Sequence, residues 1–417
     1  MKKSLSILLL LAVLVSASAQ TDTTKLAPYL TEVRSLAEQP QIKSSFDFVD
    51  RNRDAILREW TAITEINAPS GHEQERAKYI EKILKKYKLQ KIYYDSVGNL
   101  IALRKGTGGG PTVVFDSHMD TVFQPGLKIK ATIRNGVMYA PGVGDDTRNI
   151  EAMLASIRAL DAAHVKTRGD LLFVFTVEEE TTFKGVKQFI QDNKSKINYY
   201  VALDGGYEGL TYGGIGINWY KHHFIGPGGH TRSRTPPYSA ALPLARAITR
   251  IYELTLPNNP PTNLNIGMLG GSEVVNAKAS DAWFTVDLRS TSNELLDDYE
   301  HRIARILQEE ADRAGMTVKT DVISRTPAAI LPGHRDSLLV RTAEAVHVQM
   351  GFQNPPITIT GSNNSNVALH EGIPSISTGA ADCSASHSLE ENCQIETIYG
   401  GIKKIILLEI ALAQLSS

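Results

Sequence analysis

Five short stretches of this chain carry side chains able to bind metal ions and move protons. Asp116-Ser117-His118-Met119-Asp120 follows an apolar run at residues 112–115. His118 and Asp120 are two apart, so an extended backbone puts both on one face. An imidazole that ligates zinc needs a carboxylate behind it to fix its tautomer. His118 as ligand and Asp120 as its orienter meet that need, although such a pair alone is a common surface hydrogen bond. Gly144-Asp145-Asp146-Thr147-Arg148 opens the next helix. An acid there is often only a cap, yet a carboxylate shared by two cations needs a rigid, exposed turn of this kind. Glu178-Glu179-Glu180 sets three like charges side by side, which a solvated loop tolerates. A divalent cation gives the run a use, with one Glu as ligand and a neighbour as general base. Asp204, ahead of Gly205-Gly206, and His387, between Ser386 and Ser388, complete the set.

The elements that must position these groups read as a layered fold. Residues 112–115, 171–177 and 199–203 have the composition of short buried strands. Between the first two, Ile150, Met153, Leu154, Ile157 and Leu160 recur at helical spacing. Strand, helix, strand predicts an α/β layer, and the candidate groups fall at the ends of successive strands, where open α/β sheets gather ligands. The texture changes near Gly213. Residues 214–326 read as strand, helix (240–254), two strands (264–269 and 282–288) and helix (293–314), an α+β, ferredoxin-like unit of two helices on a sheet. The α/β pattern resumes with strands near Ile357 and Ser375. We therefore predict a lid domain over 214–326 inserted into a catalytic domain made of 20–213 and 327–417, with residues 20–50 as a polar helical leader.

Composition excludes several classes. The chain has 417 residues, 21% charged and 42% hydrophobic, ordinary values for a soluble enzyme of two or three domains. Lys2 and Lys3, the apolar run at 7–15 and Ala17-Ser18-Ala19 have the form of a signal peptide over residues 1–19. That run is too short to span a bilayer. Export to the periplasm or the medium is the expectation. Without residues 1–19 the balance is 42 basic against 45 acidic residues, so no strong field of either sign favours nucleic acid or an anionic membrane. Cys383 and Cys393 are a disulfide pair or two buried thiols; sequence does not decide between them.

The order His-x-Asp, Gly-x-Asp-Asp, Glu-Glu, Asp and a late His-Ser resembles the co-catalytic zinc exopeptidase family of peptidase T, carnosinase-like dipeptidases and glutamate carboxypeptidase. The resemblance runs from Ala68-Pro69-Ser70-Gly71 to the C-terminus and includes Asp95-x-x-Gly98-Asn99-Leu100. It implies two divalent metal ions; nitrogen and oxygen ligands of this type suit zinc and do not by themselves exclude manganese or cobalt. His118, Asp145 and Asp204 would hold one, and Asp145, Glu180 and His387 the other, with Asp145 shared. It also implies Glu179 as the base and Asp120 as the orienter of His118. The pair is placed at 179–180 because the family pattern sets it three residues after a Thr, here Thr176, and the spacing to Gly185 agrees. In the inserted unit, Gly226-Pro227-Gly228-Gly229-His230 resembles the family's lid motif, whose His stabilises an oxyanion, often in a neighbouring subunit. Gly270-Gly271-Ser272 with Asn276, and Asp287-Leu288-Arg289, resemble the strands that hold the substrate carboxylate, for which an Arg fork is well shaped. Related lids pair through their sheets, which implies a homodimer. Two departures bear on specificity: Asp-Asp-Thr-Arg-Asn stands where Asp-Asp-Lys-Gly-Gly is common, and Gly361-Ser362-Asn363-Asn364-Ser365-Asn366 replaces Gly-Ser-Thr-Asp-Ala-Asn.

The expected activity is cleavage of small peptides, as an aminopeptidase or di- or tripeptidase. Asp rather than Glu at position 204 leans that way within the family. A carboxypeptidase or N-acyl amino acid deacylase is the enzymatic alternative. A catalytically silent binding protein is the other, and it is disfavoured because every ligand position and the base are filled.

Overall fold

The computed structural model describes residues 23–271 and 274–416; the signal peptide expected at 1–19, and Ser272, lie outside them. An eight-stranded mixed sheet runs through the catalytic half. Its order is Lys91–Tyr94, Leu100–Arg104, Leu171–Thr176, Val113–His118, Tyr199–Ala202, Ser375–Ser377, Leu210–Thr211 and Ile357–Thr358. The central strands Leu171–Thr176, Val113–His118, Tyr199–Ala202 and Ser375–Ser377 are parallel, and their apolar runs are buried on both faces, as parallel strands require. Val113–His118 extends past the expected end at Phe115: its ladder continues until His118 lies opposite Thr176. His118 is therefore held by sheet hydrogen bonding rather than by a loop.

The helix Arg148–Ala162 is buried on almost every face, polar Glu151 and Ser156 included, where periodicity predicted one apolar stripe. The reason is a further layer of helices. Pro40–Arg51, Arg53–Thr64 and Ile395–Ala413 all pack on it. The polar leader contributes to this layer: Leu26, Val33, Ile42 and Val49 are buried, each such side chain adding roughly 1.5–3 kcal/mol.

The second sheet has the order Thr262–Asn265, Asp281–Ser290, Gly216–Ile225, Thr317–Thr326, with Leu269–Gly270 also paired to Asp281–Ser290. Its pairings are antiparallel. Helices Ala241–Tyr252 and Asn293–Ala314 cover one face, burying Phe224, Phe284, Val286 and Leu288 against Leu244, Ile251, Ile303 and Leu307. Ser292 caps the longer helix, accepting from the Leu295 N–H at 3.3 Å. Among the described residues no helix is long and apolar enough to cross a membrane.

One buried acid in the outer helix layer has a pH consequence. Glu409 accepts from Ser156 Oγ at 2.6 Å, while its Oε2 has no partner among the described residues. Burial pushes its carboxyl from the usual 4.5 up to about 8, against smaller opposing effects of Ser156 and Arg104. Between those two values the folded chain keeps a proton that the unfolded chain has lost, so stability falls as pH rises through the window. Glu409→Gln is expected to flatten that fall and to be the more stable protein above about pH 8, by on the order of 1–3 kcal/mol. Thermal melts of both proteins at about pH 6 and 9 check it: parallel pH dependence would mean that Glu409 is not the group responsible.

Candidate metal centre

The groups that sequence scatters between residues 118 and 387 converge at the carboxyl ends of the parallel strands. Asp145 lies between two imidazoles: its Oδ1 is 2.9 Å from His118 Nε2 and its Oδ2 is 3.1 Å from His387 Nε2. His387 Nε2 is also 3.2 Å from Glu180 Oε1. Ligand atoms of His118, Asp145 and Glu180 fall within 4.8 Å of one another, and so do those of Asp145, Asp146 and Asp204. Asp146 is the acid the sequence reading did not use. It is fully buried, with Oδ2 taking Ser117 Oγ at 2.5 Å and the His118 N–H at 3.1 Å, and Oδ1 taking the Asn149 amide. Those bonds spend its oxygens on fixing the strand end, whereas the Asp145 oxygens face the imidazoles.

Each group is aimed by contacts from distant parts of the chain. The turn Val143–Thr147 is fastened to helix Arg53–Thr64: Trp60 Nε1 donates to Val143 O at 3.1 Å, and the Thr64 and Thr147 hydroxyls are 2.7 Å apart. Glu391, fully buried, accepts from the N–H groups of Gly142, Gly144 and Asp145 at 2.7, 2.7 and 2.8 Å. It thus ties the segment after His387 to the turn bearing Asp145. Cys383 and Cys393 are disulfide-bonded and lie opposite each other in an antiparallel pair, so the free-thiol alternative is excluded. The bridge packs on Gly144, where an added Cβ would lie 2.8 Å from Cys383 Cβ. Asp204's loop is pinned by Arg148, which donates to Gly205 O at 2.5 Å, and by the buried Lys404, which donates to Tyr207 O at 2.6 Å and Gly379 O at 2.8 Å. Nothing in local spacing announces Glu391, Arg148 or Lys404, since all three act across long sequence separations.

Asp120 does more than the expected orienting. Its Oδ1 is 3.4 Å from His118 Nδ1, while its own backbone carbonyl is nearer at 3.1 Å. The two carboxylate oxygens also accept the N–H groups of Glu179 and Glu180 at 3.0 and 3.1 Å, and Ser70 Oγ at 2.6 Å. One residue thereby sets both His118 and the acidic turn. Glu178 turns away, with its carboxylate on Lys184 at 2.8 Å and Thr182 at 3.1 Å. Glu179 is buried and Glu180 reaches His387.

The electrostatics show a site short of positive charge. Burial pushes Asp204 up to about 7, with Asp145 adding to the rise, and burial lifts Glu179 well above the carboxylate range. Hydrogen bonds that the His387 imidazolium donates to Asp145 and then Glu180 hold its charge on up to about 10. His118 is likewise raised: burial opposes its charge, but Asp146, Asp120 and Asp145 outweigh burial. Two imidazoles within a ring of oxygen donors fit divalent cations, whose charge would release these protons on binding.

Beside the centre lies a cleft of about 430 Å³ that Glu179, Glu180 and His387 line from one side and Ile217, Trp219 and Arg289 from the other. Arg289 is thus brought to the site. His230 and Asn276 are not. Both are exposed on the ribbon that pairs Gly229–His230 with Ala277–Lys278, where the Asn276 carbonyl accepts from the Thr231 N–H.

Residues 114–408, well over half the chain, match the family described as peptidase family M20/M25/M40. The chain belongs to this family. The M20 family is one of metallopeptidases and related hydrolases, and the family resemblance and the fold expected from sequence both hold. The uncharacterised protein YqjE of Bacillus subtilis is 22% identical over 373 residues, covering 86% of this chain and 98% of that protein. A tripeptidase from Staphylococcus aureus superposes on this M20 chain with a TM-score of 0.76 at 21% identity, covering 87% of this chain and 99% of its own. The YXEP protein of Bacillus subtilis, a dinuclear metal-binding M20 peptidase, does so with a TM-score of 0.64 at 12% identity, covering 87% and 98%. At such identities the two structures speak for the fold.

Proposed function

We propose that the protein is an exopeptidase with two divalent cations, zinc the best match, that hydrolyses di- and tripeptides from the amino end. The observation that carries the reading is the placing of Asp145 between His118 and His387, with buried Glu179 on the wall of the adjoining cleft. His118, Asp145 and Asp204 would hold one cation, and Asp145, Glu180 and His387 the other. Such a pair, when bound, polarises the scissile carbonyl and lowers the pKa of a bound water towards ~7.

The chain's own groups supply the rest. Glu179 takes a proton from the attacking water and passes it to the leaving amine. Asp120 keeps Glu179 in place through the N–H it accepts, and keeps His118 in one tautomer. Arg289 holds the free carboxylate of the peptide. His230 and Asn276, exposed on their ribbon, are suited to the site of a second subunit, so the working form is a homodimer paired through the inserted unit. Export under the 1–19 signal, to the periplasm or the medium, suits a chain with a disulfide.

The test is hydrolysis of free and N-blocked di- and tripeptides before chelation, after it, and after zinc is restored. Cleavage of the free-amine peptides should vanish with chelation and return with zinc. Cleavage of blocked peptides alone would instead assign a carboxypeptidase or deacylase, and turnover that survives thorough chelation would remove the metals from the reading.

A further inference from the structure

Strand pairing puts five cleft residues, Ile217, Trp219, Arg289, Ser324 and Thr326, on one face of the five-stranded sheet. Ile217 lies opposite Arg289 and Thr326, and Trp219 opposite Asp287 and Ser324. This is the face that helices Ala241–Tyr252 and Asn293–Ala314 leave open. Asp287 engages Nε and Nη2 of Arg289 at 3.0 Å each, and Nη1 makes no hydrogen bond among the described residues. The fork is therefore held in one orientation with donor capacity to spare.

Trp219 stands one diagonal from Arg289, a separation of about 7–8 Å that aromatic and long side chains span. It is half-buried. Among the described residues its indole N–H has no acceptor and its ring has no stacking partner. On the other side of the cleft Val122 is 38% exposed, and Phe183 forms part of the lining. Val122, Phe183, Ile217 and Trp219 are thus apolar members of the same cleft that holds the Arg289 donors and the reacting end at Glu179 and His387. A half-exposed Trp and an exposed Val lining one cleft are apolar surface that water gains little from wetting and that a ligand side chain would cover.

We propose that Trp219, Ile217, Val122 and Phe183 form a subsite for a large apolar side chain on the substrate's carboxyl-terminal residue, whose carboxylate sits on Arg289. The proposal rests on the peptidase reading above and adds to it the class of substrate: short peptides ending in Phe, Leu or a similar residue, rather than in Gly, Ala, Asp or Lys. The diagonal geometry gives the reason. A residue bound through its carboxylate at Arg289 has its Cβ within reach of the indole, and Trp219, Ile217, Val122 and Phe183 carry no charge for a charged side chain to pair with.

The test is kcat/KM of the metal-loaded protein for dipeptides and tripeptides with fixed other residues and Ala, Leu, Phe, Asp or Lys at the carboxyl end. Phe and Leu are expected to exceed Ala by about 10- to 200-fold, the range for apolar pocket discrimination. Trp219→Ala should reduce that ratio by at least about tenfold, with the change in KM rather than kcat, because the interaction is the same in ground and transition state. Trp219→Phe should keep most of it. Val122→Asp, at an exposed position on the other wall, gives an independent reading that does not depend on how Trp219→Ala folds, and it too should depress the ratio. Peptidase activity with no carboxyl-terminal preference, a preference set by the amino-terminal residue instead, or an unchanged ratio in both Trp219→Ala and Val122→Asp would overturn the subsite while leaving the peptidase reading in place. Absence of cleavage of every peptide would overturn both.

Discussion

Glu179→Gln should leave the metal content of the protein unchanged and lower kcat by about 10²–10⁴-fold, the range for removing a positioned general base. The side chain is buried and lines the cleft next to Glu180 and His387, and its N–H is held by Asp120 Oδ1 at 3.0 Å. Burial raises its affinity for a proton, which is what a group that must accept and then release one requires. Gln keeps the shape and the backbone bond and removes the basicity. Glu180→Gln should behave differently, because Glu180 Oε1 lies 3.2 Å from His387 Nε2 and its loss opens a ligand position. Elemental analysis beside saturating kinetics separates the two. A Glu179→Gln protein that loses metal, with a Glu180→Gln protein that keeps metal and loses turnover, would exchange the roles.

Asp145→Ala should be more damaging than the loss of either imidazole. Its two oxygens face different histidines, at 2.9 and 3.1 Å, so on the proposed reading one substitution would take a ligand from both cations. Metal content should fall from about two per chain to below one, and kcat/KM by at least ~10³, given that cation stabilisation of the reacting groups is worth several kcal/mol. His387→Ala should spare the His118 cation and lose about one metal per chain. Metal counting by elemental analysis after exhaustive dialysis reads both. Retention of two metals by Asp145→Ala would give the shared position to Asp146, the neighbouring acid in the same cluster.

Legibility from sequence followed the range of the interactions. His118, Asp145, Glu179, Glu180 and Asp204 were visible because each sits at a strand end or helix start, a place that short-range pattern marks, and the inserted sheet was visible from its run of strands and helices. Glu391 was not, because its three backbone N–H partners lie some 250 residues earlier and no spacing encodes that. The burial of helix Arg148–Ala162 on almost every face was missed for the same reason: part of its cover comes from Ile395–Ala413, far along the chain, and residues 40–51, which look polar by composition, turn a buried row of Ile42, Ser45 and Val49 towards it. The extension of the Val113–His118 strand through polar Asp116 and Ser117 escaped hydropathy, since those side chains are buried by bonds to Asn364, Thr176 and Asp146 rather than by being apolar. Trp219 and Arg289 became neighbours only through strand register. Sequence could name His230 and Asn276 as candidates, but not the face of the molecule on which they stand.

The chain's path between its two larger sheets also dictates when a site can exist during synthesis. His118 is made early and His387 near the end, and all 111 residues of 216–326 that frame the second sheet emerge in between. Helix Arg148–Ala162 waits as long for Ile395–Ala413, the helix that packs against it. A nascent chain that has reached the inserted sheet therefore carries a helix still missing part of its cover and a candidate metal cluster lacking His387. That face stays open until Ile395–Ala413 is made, and a truncation before Ile395 would remove this part of the core.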